Sequence, residues 1–76
     1  MLRQQILQVF TEVAAEQDRV LKTPVDDMQL ADTGLDSLCM AHVVARLEQQ
    51  TGLDPIDNTL PDTVGEFIQL YEIAAA

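Results

Sequence analysis

Three stretches of this chain carry large apolar residues at helical spacing, and none sustains the period-two alternation of a strand. Leu2, Ile6, Val9, Phe10 and Val13 form the first stripe, which runs to about Glu16. Met40, Val43, Val44 and Leu47 stand at i, i+3, i+4 and i+7, and Val64, Phe67, Ile68 and Tyr71 repeat that spacing. The pattern predicts an all-α fold, a small helical bundle of three main helices without internal repeats.

Helix boundaries follow from the residues between the stripes. Thr23-Pro24 stops the first helix, because the residue before a proline avoids helical angles. Residues 17–35 then form a connection longer than compact domains usually carry, which Val25, Met28, Leu30 and Leu35 can pin to a core. Asp32-Thr33-Gly34 reads as a turn, Asp36 or Ser37 supplies an N-cap, and a second helix covers about 37–50 before Gly52 ends it. A short helical turn over about 57–60 would make the layout a four-helix bundle. Thr63 and Glu66 fit a capping box that opens a helix over about 63–73, and the final alanines should fray.

On the second helix, the core face leaves His42, Arg46, Gln49 and Gln50 as a polar stripe, with Cys39 placed on that side. A third sector holds Leu38, Ala41, Ala45 and Glu48 next to Ser37. That sector is either a strip facing a partner or part of a central helix buried on more than half its circumference, and periodicity alone leaves both open.

Size and charge narrow the function. Ordering 76 residues costs on the order of 100 kcal/mol of conformational entropy, so one core uses most of the apolar content and leaves no room for a large enclosed active site. Residues 1–22 balance Glu12, Glu16 and Asp18 against Arg3, Arg19 and Lys22, whereas residues 23–76 contain ten of the 13 acids and only Arg46, for a net charge of −9. Such a surface repels nucleic acid and anionic membranes and attracts basic protein patches or divalent cations. Cys39 has no second cysteine to pair with, the first residues lack the apolar core of a secretory signal, and no apolar run spans a bilayer, so the cytoplasm is the expected compartment; a monomer is the expected state.

Several chemistries fail on spacing. Cys39 and His42 stand three apart, but no third ligand or orienting acid shares their face. Ser37 and His42 point about 140° apart on a helix, a poorer arrangement still for a hydrolytic dyad. Asp26, Asp27, Asp32 and Asp36 lack the alternating ligand order of an EF-hand loop. Ser37 differs, because a hydroxyl at a helix start lies where free N–H groups favour an anion, although an ordinary capping serine satisfies the same rule.

Gly34-Leu35-Asp36-Ser37-Leu38, preceded by Leu30-Ala31-Asp32-Thr33 and followed by a Val-Val-Ala-Arg-Leu-Glu helix, resembles the attachment motif of acyl carrier proteins. The likeness in order and spacing extends from the first helix through the long loop to Thr63-Val64-Gly65-Glu66-Phe67. It implies that Ser37 receives 4′-phosphopantetheine from coenzyme A through a magnesium-dependent phosphopantetheinyl transferase, and that Asp36 helps to position that enzyme and its metal. The domain would then carry cargo as a thioester without catalysing its chemistry. Implied partners are an acyl-loading ligase or acyltransferase and a ketosynthase or other acyl-processing enzyme, docking on Leu38, Ala41, Ala45 and Glu48. Cys39 and His42 stand where carriers of dissociated fatty-acid systems are often acidic, and the motif lacks the doubled glycine of nonribosomal peptide carriers. The resemblance therefore favours a polyketide or specialised acyl pathway, with fatty-acid, aminoacyl or peptidyl carriage and an unmodified helical interaction module as alternatives.

Overall fold

The computed structural model describes residues 2–56 and 59–76. Three α-helices, α1 (Leu2–Glu16), α2 (Ser37–Thr51) and α3 (Val64–Ala75), enclose one core, and a 3₁₀ turn at Leu30–Asp32 lies within the α1–α2 connection. The short fourth element expected near 57–60 is not the one observed. Asp57 and Asn58 lie outside the described residues, Thr59 and Leu60 are not helical, and the extra helical turn belongs to the long loop. Among the described residues the architecture is therefore a three-helix bundle rather than a four-helix one.

Each helix ends for a local reason. Past α1, Asp18 takes a left-handed conformation (φ 56°), while the Arg19 N–H bonds the Ala14 carbonyl at 2.8 Å and the Asp18 N–H bonds the Ala15 carbonyl at 3.3 Å. This is the paired arrangement of a Schellman cap, with aspartate where glycine is usual. Gly52 ends α2 at φ 73°, its N–H bonding the Glu48 carbonyl at 2.8 Å. Thr63 and Glu66 form the reciprocal capping box of α3, which continues through Ala74 and Ala75, so the helix runs two residues past the expected fraying point.

The core contains Ile6, Val9, Phe10, Val13 and Ala14 of α1, Met40, Val43 and Leu47 of α2, and Val64, Phe67, Ile68 and Tyr71 of α3. Phe10 and Phe67 meet edge to face, with centroids 5.6 Å apart and planes at 63°, a geometry that adds about 0.5–1.5 kcal/mol to simple burial. Cys39 corrects the sequence-based wheel: it is only 1% exposed, whereas Val44 lies at the rim. At about 100° per residue the buried arc is centred near Val43 and sweeps from Cys39 to Met40, so Cys39 falls inside the buried face and Val44, about 40° beyond Met40, lies at its edge.

Backbone contacts hold the long connection. The Leu30 N–H donates to the Asp62 carbonyl at 2.8 Å, and Val64 and Gly65 donate to the carbonyls of Met28 and Asp26 at 2.9 and 2.8 Å. The loop thereby lies along the entry to α3, with Leu30 and Leu35 as its buried anchors and Met28 packed against the core. Val25 does not anchor it, because half of its surface remains exposed. Arg3 pairs with Asp26, and Arg46 joins α2 to Glu12 and Glu16 of α1.

Candidate functional site

The approach to Ser37 is held by hydrogen bonds from both sides of the chain. The wholly buried Thr33 donates its hydroxyl to the Leu30 carbonyl at 2.7 Å, and the Leu35 N–H reaches back to the same hydroxyl oxygen at 3.4 Å. The Thr33 carbonyl accepts from the Lys22 N–H at 2.9 Å, drawing the middle of the loop against this turn. Gly34 follows at φ +100°, where a Cβ atom would overlap the Val20 carbonyl oxygen. Both the angle and the close approach require glycine. Leu35 then plugs into the core and directs the chain into α2.

Two candidates for the cap of α2 followed from the sequence, and the structure chooses Asp36. Its Oδ1 accepts the Cys39 N–H at 2.9 Å, and its Oδ2 accepts an N–H of Arg19 at 2.6 Å. The Cys39 hydrogen bond, assisted by Arg19, holds the Asp36 carboxyl below the usual aspartate range. Ser37 is the first helical residue and is exposed, so its hydroxyl is not needed to cap the helix. An ion pair across 17 positions left no local sequence signal, which is why Arg19 does not emerge from the motif alone.

Ser37 lies between two open grooves. One, of about 340 Å³, runs along α2 past Met40, Ala41, Val44 and Ala45 to Glu48, with Ile56 and Leu60 as the opposite wall. The other, of about 480 Å³, lies over the loop between Leu30, Ala31 and Leu35 and the segment Leu60 to Asp62. Ser37 and Leu60 line both. No spacing rule brings Ile56 or Leu60 to the serine, since their place depends on the path of the α2–α3 connection.

The remaining α2 candidates separate clearly. Leu38, Ala41, Ala45 and Glu48 are exposed, which rejects burial of that sector within the bundle. Leu38 is 64% exposed, a large apolar side chain left in water one residue from the serine. Cys39 points into the core while His42 is exposed, so the two do not form a pair. Among the described residues no group of three or more His, Cys, Asp or Glu side chains is placed to hold a metal, and no helix is long and apolar enough to cross a membrane.

The molecule is thus a small helical domain with an exposed serine at a helix start between two grooves. Residues 4–70 match the family model described as the phosphopantetheine attachment site, and the chain belongs to that family. It is a non-catalytic carrier whose cofactor is 4′-phosphopantetheine, and its work requires a phosphopantetheinyl transferase and enzymes that process the cargo. Neither curated proteins nor solved structures give a match to it.

Proposed function

We propose that this protein is an acyl carrier protein that bears acyl intermediates as thioesters on a phosphopantetheine arm attached to Ser37, in polyketide, fatty-acid or other specialised acyl biosynthesis. One observation carries the reading. Asp36 caps α2, which leaves the Ser37 hydroxyl exposed at the mouth of an apolar groove. The residues present fit the group: an accessible oxygen at a helix start suits a phosphodiester, and the groove suits an aliphatic chain. When attached, the arm supplies a terminal thiol for thioester exchange.

During loading, the Ser37 oxygen forms the new bond to phosphorus and the pyrophosphate bond of coenzyme A breaks. The hydroxyl proton passes to the transferase, and the adenosine bisphosphate departs. Asp36 orients the incoming enzyme and its magnesium. Leu38 supplies the apolar contact of the docking strip, Ala41 and Ala45 allow a partner helix to approach closely, and Glu48 meets basic side chains at its far end. An acyl-loading ligase or acyltransferase and a ketosynthase use this same face in turn, with the carrier acting as a cytoplasmic monomer.

Incubation with coenzyme A, magnesium and a broad-specificity transferase, followed by mass spectrometry, tests the reading. One phosphopantetheine per chain is expected on the wild type and none on Ser37→Ala. An unchanged mass for folded wild type, or equal labelling of the variant, overturns it. The intact mass of protein from its own cell then separates acyl from aminoacyl cargo, because the thioester stays attached.

A further inference from the structure

The three arginines of this chain are used unequally. Arg3 engages Asp26 through both terminal nitrogens at 2.7 and 3.0 Å, and Arg46 engages Glu16 through both of its own at 2.7 and 2.5 Å. Arg19 makes a single bond, from Nη2 to Asp36 Oδ2 at 2.6 Å. Its partner is shared: Asp36 Oδ1 accepts the Cys39 N–H, and Oδ2 accepts the guanidinium. Most of the Arg19 donors have no acceptor among the described residues, and the side chain is 47% exposed.

Arg19 is tied down at two points, its backbone and one guanidinium nitrogen. The Arg19 N–H is fixed to the Ala14 carbonyl by the Schellman cap, and its guanidinium is fixed to the residue immediately before Ser37. A phosphodiester on Ser37 adds a negative charge beside Asp36, in a stretch that already contains Asp26, Asp27 and Asp32. Like charges on adjacent residues repel, and a guanidinium relieves the repulsion best because its planar fork serves two acceptors at once. Lys22, the other cation of this loop, is exposed and forms no ion pair among the described residues.

We propose that Arg19 is the phosphate-binding residue of the loaded carrier: while one N–H stays on Asp36, its free donors bind the phosphodiester oxygens on Ser37, so that a single guanidinium bridges both anions. The inference rests on Ser37 being the attachment point. It gives the arm a fixed root, with mobility beginning beyond the phosphate, and it makes the ion pair seen before loading the preformed half of a three-body site.

Loaded and unloaded protein should be compared by NMR, after mass spectrometry has located the arm on Ser37. In the wild type, loading should shift the Arg19 side-chain nitrogen resonances, while those of Arg3 and Arg46 stay in place. The phosphorus resonance of loaded Arg19→Ala should differ from wild type, Arg19→Lys should restore it only in part, and Lys22→Ala, which removes the same charge from the same loop, should leave it unchanged. Loading should also lower the Tm of Arg19→Ala by a few degrees more than that of wild type, the scale of one exposed ion pair in a domain of this size. Unmoved Arg19 resonances in the loaded wild type overturn the proposal without needing any variant to fold. A phosphorus shift reproduced by Lys22→Ala also overturns it, by reducing the effect to net charge. If the arm is absent from Ser37, this inference and the functional reading both fall; if it is present but Arg19 is indifferent, only this inference does.

Discussion

Removing one oxygen atom from the centre of the bundle should make this protein more stable. Tyr71 is 0% exposed, its ring lies 5.1 Å from that of Phe67 at 42°, and its hydroxyl finds no hydrogen-bond partner among the described residues. Burying a hydroxyl without a partner costs about 1–3 kcal/mol on mutational scales. Tyr71→Phe relieves that cost and keeps the ring, leaving an atom-sized gap that returns about 0.3 kcal/mol at the usual cavity coefficient. The expected net gain is about 1–2 kcal/mol, or roughly 4 °C or more in Tm for a domain of this length. Burial, with Asp54 and Glu48 adding to it, pushes the phenol from its ordinary 10.0 up to about 12. An unfolded tyrosine therefore ionises first, the native state binds more protons between pH 10 and 12, and wild-type stability falls across that window. Phenylalanine has no proton to lose, so the advantage of the variant should widen there. Urea unfolding followed by circular dichroism at pH 8 and pH 11 measures both effects. A variant no more stable than wild type at pH 8, with the same gap at pH 11, would refute the reasoning and show that the hydroxyl has a partner.

Gly34→Ala should cost at least about 1–2 kcal/mol for the left-handed backbone alone, and more from its overlap with the Val20 carbonyl; chemical denaturation and a slower arm-transfer rate report the loss. Asp18→Gly, which places the preferred residue in the left-handed cap of α1, should stabilise by about 1 kcal/mol, read as a higher urea midpoint. Hydrogen bonds from Arg46, Arg3 and the Cys39 N–H hold Glu16, Asp26 and Asp36 below their ordinary ranges. Their contribution is present above about pH 4 and is lost as pH falls through the lowered native values, so the acid limb of a stability–pH curve should flatten in Asp26→Asn. Docking to a processing enzyme should weaken as salt rises, because basic patches meet an acidic carrier; affinity that stays flat by calorimetry would assign docking to Leu38 instead.

The parts of the fold that were legible in advance are those where one residue type answers to local geometry. The stripes of α1 and α3 have a single apolar arc each, and the Thr63–Glu66 capping box is a contact between near neighbours, so spacing alone identifies them. On α2 the apolar arc is broad, and spacing did not say where its centre lies; packing around Val43 decided that Cys39 goes in and Val44 to the rim. Val25 misled because apolar character on a loop does not reveal which way the backbone turns. Asp36-Ser37-Leu38 in its setting pointed to Ser37 as the candidate, but which of the two residues caps α2 was not legible, since Asp36 and Ser37 satisfy the same capping rule.

By itself the sequence determined three helices, an acidic surface, and a motif that marks the chain as a bearer of an arm. These properties depend on composition and on contacts a few residues apart. Tertiary structure alone decided what surrounds the motif: Arg19 on Asp36, the Val20 carbonyl against Gly34, and Leu60 between the two grooves. Each joins residues far apart in the chain through the path of a connection. No local propensity encodes that path, because it is set by where Leu30, Leu35 and the α3 cap find room in a shared core.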